Sequence, residues 1–257
     1  MRRLFHILAL LALLPAIALA QSPQGLPLLG AGHSGPVAGG GGGGLAIVNL
    51  TSGTGTSNPQ STASINPTSG SLTLLGVCFA MVGPESGGVD STLTPTGARG
   101  TWTQIAELSP STWRRKIVLY AGTGTVTSEA ISLTVNINDT ETFQEIMWGV
   151  DEVTGQDTGT PYDAAVSTST TATSIASPDV GTPNTGDMIY AVLMHDVAEN
   201  ITPGSEFTET YGQEGGANCR TVHGFYDLTA TLDETPDASW STTAGAMIIG
   251  DIINVAP

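Results

Sequence analysis

Thr142-Phe-Gln-Glu-Ile-Met-Trp-Gly-Val-Asp-Glu-Val-Thr-Gly155 constrains the fold more than any other stretch of the chain. In a strand, Ile146, Trp148 and Val150 share one face, while Met147 and Gly149 share the other with Asp151 and Val153 beyond them. Apolar residues on both faces with a β-branched bias predict a strand inside a sheet that is covered on both sides. The stretch ends in a turn signal, Asp-Glu-Val-Thr-Gly. An echo closes the chain, Ala246-Met-Ile-Ile-Gly-Asp-Ile-Ile-Asn-Val255.

The rest of the chain after residue 44 follows the same logic. Candidate strands cover 45–50, 71–82, 101–108, 115–121, 131–136, 143–153, 164–169, 187–195, 206–211, 218–226, 238–242 and 246–255. Gly, Pro, Asn and Asp clusters separate them, among them Thr94-Pro95-Thr96-Gly97 and Thr202-Pro203-Gly204. No window gives a helical period. Many short strands with turn signals at this spacing predict an all-β sandwich or barrel. Abundant Thr suits it, because the branched carbon favours strands and the hydroxyl a wet outer face.

The two halves of this region repeat loosely. Gly70-Ser-Leu-Thr-Leu-Leu-Gly-Val resembles Gly186-Asp-Met-Ile-Tyr-Ala-Val-Leu, and Trp102-Thr-Gln matches Phe207-Thr-Glu. Arg115-Lys-Ile-Val-Leu-Tyr120 answers Arg220-Thr-Val-His-Gly-Phe-Tyr226, and Glu145 to Asp151 answers Ala246 to Ile252. The offset shrinks from about 116 to about 101 residues, so the second copy has shorter loops. Each copy has about five strong strands and no linker divides them, which favours one sandwich built by both halves over two in tandem.

Ahead of this region, residues 1–20 read as a secretory signal peptide. Arg2 and Arg3 precede an apolar run, and Ala18-Leu19-Ala20 offers a small-x-small cleavage pattern. Residues 21–44 form a Gly- and Pro-rich flexible linker ending in six glycines, Gly39 to Gly44, and 45–257 is the sandwich domain. The expectation is therefore a secreted or cell-surface protein. The chain carries 7 Lys and Arg against 23 Asp and Glu, a net charge of −16, which argues against nucleic acid as a partner.

Chemistry-bearing motifs are scarce. There is no His-Glu-x-x-His, no Cys-x-x-Cys, and no Gly-x-Ser-x-Gly; the near miss Gly32-His33-Ser34-Gly35 lies in the linker. His195 and His223 could approach across the repeat, although a strand histidine is more often a polar neighbour. Asp151 and Glu152 are the carboxylates a glycosidase would use, but they point to opposite faces of their strand, and Glu152 reads as a hydrogen-bonded structural carboxylate. No catalytic residue is expected and no cofactor is required. A structural calcium is the one ion that the oxygen-rich loops offer, with Asp151, Asp157 and Asp163 as ligands. The two cysteines, Cys78 and Cys219, form an even pair that either bridges in an oxidising compartment or stays as buried thiols.

Ser109-Pro-Ser-Thr-Trp-Arg-Arg-Lys116 is the most unusual surface stretch. It holds three of the five cationic residues that follow residue 20, beside a tryptophan. Trp113, Arg114, Arg115 and Lys116 are the predicted binding residues, because an aromatic next to Arg suits stacking on a sugar ring or pairing with an acidic partner. The bland alternative is a charged loop in which Trp113 packs down. Trp102, in an alternating strand and matched by Phe207 in the repeat, is expected in the core.

The order Gly-Ser-Leu and an apolar strand, then Gly-x-x-Trp-Thr, a strand ending Tyr-Ala, Ile-Ser-Leu-Thr-Val and Val-x-Glu-x-x-Gly resembles a jelly-roll module. That module is similar to concanavalin A-like lectin sandwiches and recurs in secreted bacterial and phage-encoded surface proteins. Here its residues are Gly70, Leu72, Gly100, Trp102, Thr103, Tyr120, Ala121, Val150, Glu152 and Gly155. The resemblance implies a single jelly-roll-like β-sandwich and no fixed catalytic set. A non-enzymatic exported surface protein for adhesion, glycan binding or surface coating is the leading functional expectation, its partner a glycan or protein at a cell or particle surface. The alternatives are a virion structural protein, such as a capsid decoration or fibre component, and a carbohydrate-active hydrolase. A homo-oligomer is compatible with any of the three.

Overall fold

A computed structural model describes residues 44–83, 88–228 and 232–257. The expected signal peptide and residues 21–43 of the expected linker lie outside them. The described residues hold no helix; their regular structure is antiparallel β throughout. The first half contributes β1 (Ala46–Gly55), β2 (Gln60–Ile65), β3 (Leu72–Val82), β4 (Thr92–Thr96), β5 (Arg99–Leu108), β6 (Arg115–Val126), β7 (Glu129–Asn136) and β8 (Thr142–Thr154). The second contributes β9 (Val166–Ala176), β10 (Met188–His195), β11 (Thr202–Pro203), β12 (Thr208–Glu214), β13 (Thr221–Asp227) and β14 (Asp237–Ile253).

The repeat in the sequence is a repeat in strand order. The first half forms a five-stranded sheet, β1-β8-β3-β6-β5, and the second builds β9-β14-β10-β13-β12. Position by position these are the same arrangement. Each half also carries a small outer layer. In the first it is a separate sheet, β2-β7-β4. In the second it grows from β14, whose register breaks between Ser239 and Ala244. The arm before that break pairs with β11 through Ala238 and Ser239 and with the end of β9 at Ile175. The expected strands 238–242 and 246–255 are therefore one strand with a break. Pro95 and Pro203, placed in turns by the sequence reading, sit in the edge strands β4 and β11, where a missing N–H costs no ladder bond.

Period-2 alternation distributes the apolar residues over three cores. Leu74, Cys78, Ile117, Leu119 and Met147 face Tyr190, Val192, Met194, Met247 and Ile249 between the two large sheets. On the other side of the first sheet, Leu75, Val77, Phe79, Val118, Ile146 and Trp148 pack against Leu93, Ile131, Leu133 and Val135 of the small sheet. The third core fills the matching place in the second half, with Ile189, Leu193, Phe225 and Ile248 under Ile175, Ile201, Ala238 and Trp240. The central sandwich takes one whole sheet from each half, and each half adds a layer of its own. The sheets meet in reversed order, with β1 against β12 and β5 against β9.

The central sandwich closes tightly at one point. Gly76 and Gly149 are register partners in β3 and β8, and Gly224 pairs with Tyr211 across β12 and β13. The Tyr211 side chain occupies the space these three glycines leave, and a Cβ on any of them would overlap it. The glycines in otherwise apolar strands are there for close approach.

Trp102 and Trp113 are both half-buried, so the expected contrast between a core and a surface tryptophan does not hold. Trp102 packs against the first outer core and its indole N–H donates to the Gly97 carbonyl at 3.0 Å. The buried tryptophans are Trp148 and Trp240. Phe207, the repeat partner of Trp102, occupies the second outer core edge-on to Phe225.

Candidate functional site

A groove of about 460 Å³ lies where the two halves meet. The first half lines it with the end of β3, Ala80 to Val82, and with Thr112 to Arg115 of the β5–β6 turn. The second half adds Thr171, Asp196, Asn218 and Gly245. The turn is closed by the Trp113 N–H donating to the Pro110 carbonyl at 2.9 Å. The Trp113 indole packs partly on the central core and lies against Gly245, where a Cβ would stand 2.9 Å from the ring. Arg114 is exposed, and its carbonyl accepts the Met81 N–H at 2.9 Å. Arg115 crosses the seam: Nη1 stands 3.2 Å from Asp196 Oδ2, and Nε donates to the Asn218 carbonyl. Asp196 is itself held by the Gly245 N–H at 2.8 Å. A fixed guanidinium, a second arginine and an aromatic ring edge thus share one opening.

Lys116 does not belong to this site. Along β6, Arg115 and Ile117 face the second half, so Lys116 faces the other way. It is buried, with Nζ 3.3 Å from Glu107 Oε2. Three of the four predicted binding residues therefore meet, and the strand period removes the fourth.

The acidic candidates are dispersed. Asp151 is sealed in the central core, where its carboxylate accepts from Asn49 Nδ2 at 3.0 Å, Tyr190 Oη at 3.0 Å and Thr210 Oγ1 at 2.7 Å. Burial pushes its pKa up to about 6, partly offset by those three donors. Asp157 closes its own turn by accepting from the Gly159 N–H and Thr160 Oγ1, and Asp163 takes a hydrogen bond from Asn254 Nδ2. The expected calcium ligands are not gathered, and no group of three or more His, Cys, Asp or Glu among the described residues is placed to hold a metal ion. Glu152 faces the opposite side of its sheet from Asp151. It accepts from the Thr68 N–H and from Ser71 Oγ at 2.6 Å, while Arg99 bonds the same Ser71 hydroxyl. Two buried carboxylates on opposite faces offer no common floor for a glycosidic bond, so a hydrolase would have to use other residues.

His195 and His223 do meet. They sit on one face of neighbouring strands, diagonal to each other, with rings stacked at 5.5 Å and 8°. Trp240 stacks on the far side of His195 at 5.1 Å. Both histidines are fully buried; His223 Nδ1 lies 2.7 Å from Glu209 Oε1. Burial and the neighbouring His223 lower the His195 pKa to about 4, against smaller opposing effects of Glu199 and Asp196. The stack is shut off from solvent inside the second outer core and offers no entry for a substrate.

Cys78 and Cys219 are also brought together. Both are buried thiols of the central core, and the Cys78 thiol adds to burial in raising the Cys219 pKa.

Sequence reasoning passed over Asp251. It is fully buried in β14, and one of its carboxylate oxygens has no hydrogen-bond partner. Burial raises its pKa to about 7, with Asp163 adding to the effect. The signal was present, an acid inside Met-Ile-Ile-Gly-Asp-Ile-Ile, where a charge in a doubly covered strand is itself the anomaly.

Fold and site together define an all-β sandwich protein with an aromatic and cationic groove at the seam between two repeated halves. No protein-family model, curated protein or solved structure matches the chain.

Proposed function

We propose that this chain is a non-enzymatic exported surface protein whose seam groove binds a glycan at a cell or particle surface. The observation that carries the reading is the grouping of Trp113, Arg114 and Arg115 around one opening. A sugar ring presents C–H groups that stack on an indole and hydroxyls that suit a fixed guanidinium. Charge supports the same place. Among the described residues the cations are Arg99, Arg114, Arg115, Lys116 and Arg220; Arg99 and Lys116 are buried. Two of the remaining three line the groove, and Arg220 follows the groove residue Asn218 by two positions. In a chain of net charge −16, that makes this end the favoured approach for an acidic sugar.

The test is titration calorimetry of the full chain against a panel of neutral and uronate-containing polysaccharides, with Trp113→Ala and Arg114→Ala beside the wild type. Both variants are expected to keep the fold and to weaken binding tenfold or more, corresponding to about 1.4 kcal/mol. Equal binding by all three proteins, or no binding to any glycan, would end the proposal.

A further inference from the structure

We propose that Cys78 and Cys219 are joined by a disulfide that ties the two halves of the molecule together when the chain folds in an oxidising compartment. The argument rests on placement. Cys78 lies inside β3 on the face toward the second half, and its register partner in β8 is Met147. Cys219 lies two residues before β13, in a turn that the first half holds down. The Glu145 carboxylate of β8 accepts the N–H groups of Ala217, Asn218 and Cys219 at 3.0, 2.6 and 3.0 Å. Arg115 holds the Asn218 carbonyl of the same turn. Cys219 Sγ stands 4.0 Å from the Glu145 carbonyl, and Glu145 pairs with Ala80, two residues from Cys78. Polar contacts that do not involve sulfur therefore hold the turn that carries Cys219 against the strands beside Cys78. These are the only two cysteines of the chain, one in each half.

The chemistry sets the timing. Exchange requires a thiolate, and burial holds the Cys219 thiol well above its ordinary range once the sheets have closed. The bond therefore forms during folding, while the turn is still reachable. One thiolate attacks an external disulfide, oxidised glutathione or the disulfide of a thiol oxidase, and releases one thiol. The second thiolate then displaces the remaining external sulfur. Two protons and two electrons leave the pair, and the external disulfide is reduced to two thiols. The new bond closes a loop of about 140 residues that spans most of both halves, the kind of closure that restricts the unfolded chain most.

The experiment refolds the full chain in a glutathione redox buffer and alkylates it in denaturant without reductant before intact-mass analysis. Expected is a monomer with no alkylation and a mass roughly 2 Da below the dithiol form. Reductant is expected to lower the melting temperature of the oxidised wild type and to leave Cys78→Ala unchanged. Two alkylated cysteines, a glutathione adduct or a disulfide-linked dimer as the main product would overturn the proposal. So would a wild-type melting temperature indifferent to reductant, and that measurement stands even if Cys78→Ala does not fold.

Discussion

The outer faces of the two large sheets occupy equivalent places in the repeat and are filled differently. In the first half, β2-β7-β4 covers an apolar face centred on Phe79, Ile146 and Trp148. In the second, the arm of β14 covers a face that carries the His195–His223 stack beneath Trp240. The central sandwich shows the same asymmetry in its acids. Asp151 in β8 is met by three donors, whereas Asp251 in β14 has one oxygen bonded to the Ile252 N–H and the other bonded to nothing. One strand order tolerates both fillings. What the two copies share is the alternation, and the polar contents are where they have diverged.

The sharpest test removes the large ring from each outer core. Trp148→Ala and Trp240→Ala are each expected to cost about 3–5 kcal/mol in chemical denaturation, because each ring is buried in the outer core of its half. Only Trp240→Ala should also raise the His195 pKa from about 4 toward its ordinary value, as read by NMR titration of the ring protons. A cost below about 1 kcal/mol for either would break the equivalence of the two cores.

The acids should respond with opposite signs. The Asp251 pKa of about 7 lies above the unfolded value, so its contribution is fully present below about pH 4 and is lost as pH rises through 7. Asp251→Asn is therefore expected to stabilise the protein by on the order of 3 kcal/mol at pH 8 and to change little at pH 4. Asp151→Asn should destabilise by about 1–3 kcal/mol, because an amide N–H would face three donors that now find a carboxylate. Denaturant midpoints measured across pH 4–8 decide both, and stabilisation by both variants would sink the contrast.

His195 runs the other way with pH. Its folded pKa is depressed, so stability falls as pH drops from about 6.5 through 4, where the unfolded chain takes a proton that the folded ring refuses. His195→Leu should remove about 2–3 kcal/mol of that loss, seen as a flatter acid limb of the melting-temperature profile. An effect comparable to that of Asp151→Asn is expected in the glycine slot around Tyr211. Gly149→Ala should cost about 1–3 kcal/mol by crowding Tyr211, and Tyr211→Phe should not relieve it, because the overlap is with the ring carbons.

Much of the framework could be read from the chain. Alternation located most of the strands, and the pairs Gly70/Gly186 and Arg115/Arg220 marked the two halves as a repeat, while the strand order they share is seen only in the structure. Three strands of the small outer layers escaped because they look like something else. β4 contains the Thr-Pro-Thr of a turn signal, β2 is polar at most positions, and β11 is two residues long. Trp240 lay in a predicted strand, yet nothing local says that β14 breaks register at Ser239 and folds that ring over a histidine 45 positions earlier in the chain. The site was legible to the same degree. An aromatic beside arginines marked Trp113 to Arg115, but the second wall of the groove comes from residues about 60–130 positions further on, which only the reversed meeting of the two sheets brings near.

That reversed meeting has a consequence for how the molecule comes apart. Two like sheets laid face to face with their edges exchanged are a dimer interface written into one polypeptide. For separate chains such a contact would weaken on dilution. Here the short run from Gly155 to Ala165 holds the partners at a fixed effective concentration, and that run is itself bridged to the end of the chain at Gln156 with Val255 and Tyr162 with Ile253. Within one chain the parting of the halves is a unimolecular event, and the ligand proposed for the seam would act on it as a staple between two associated subunits would.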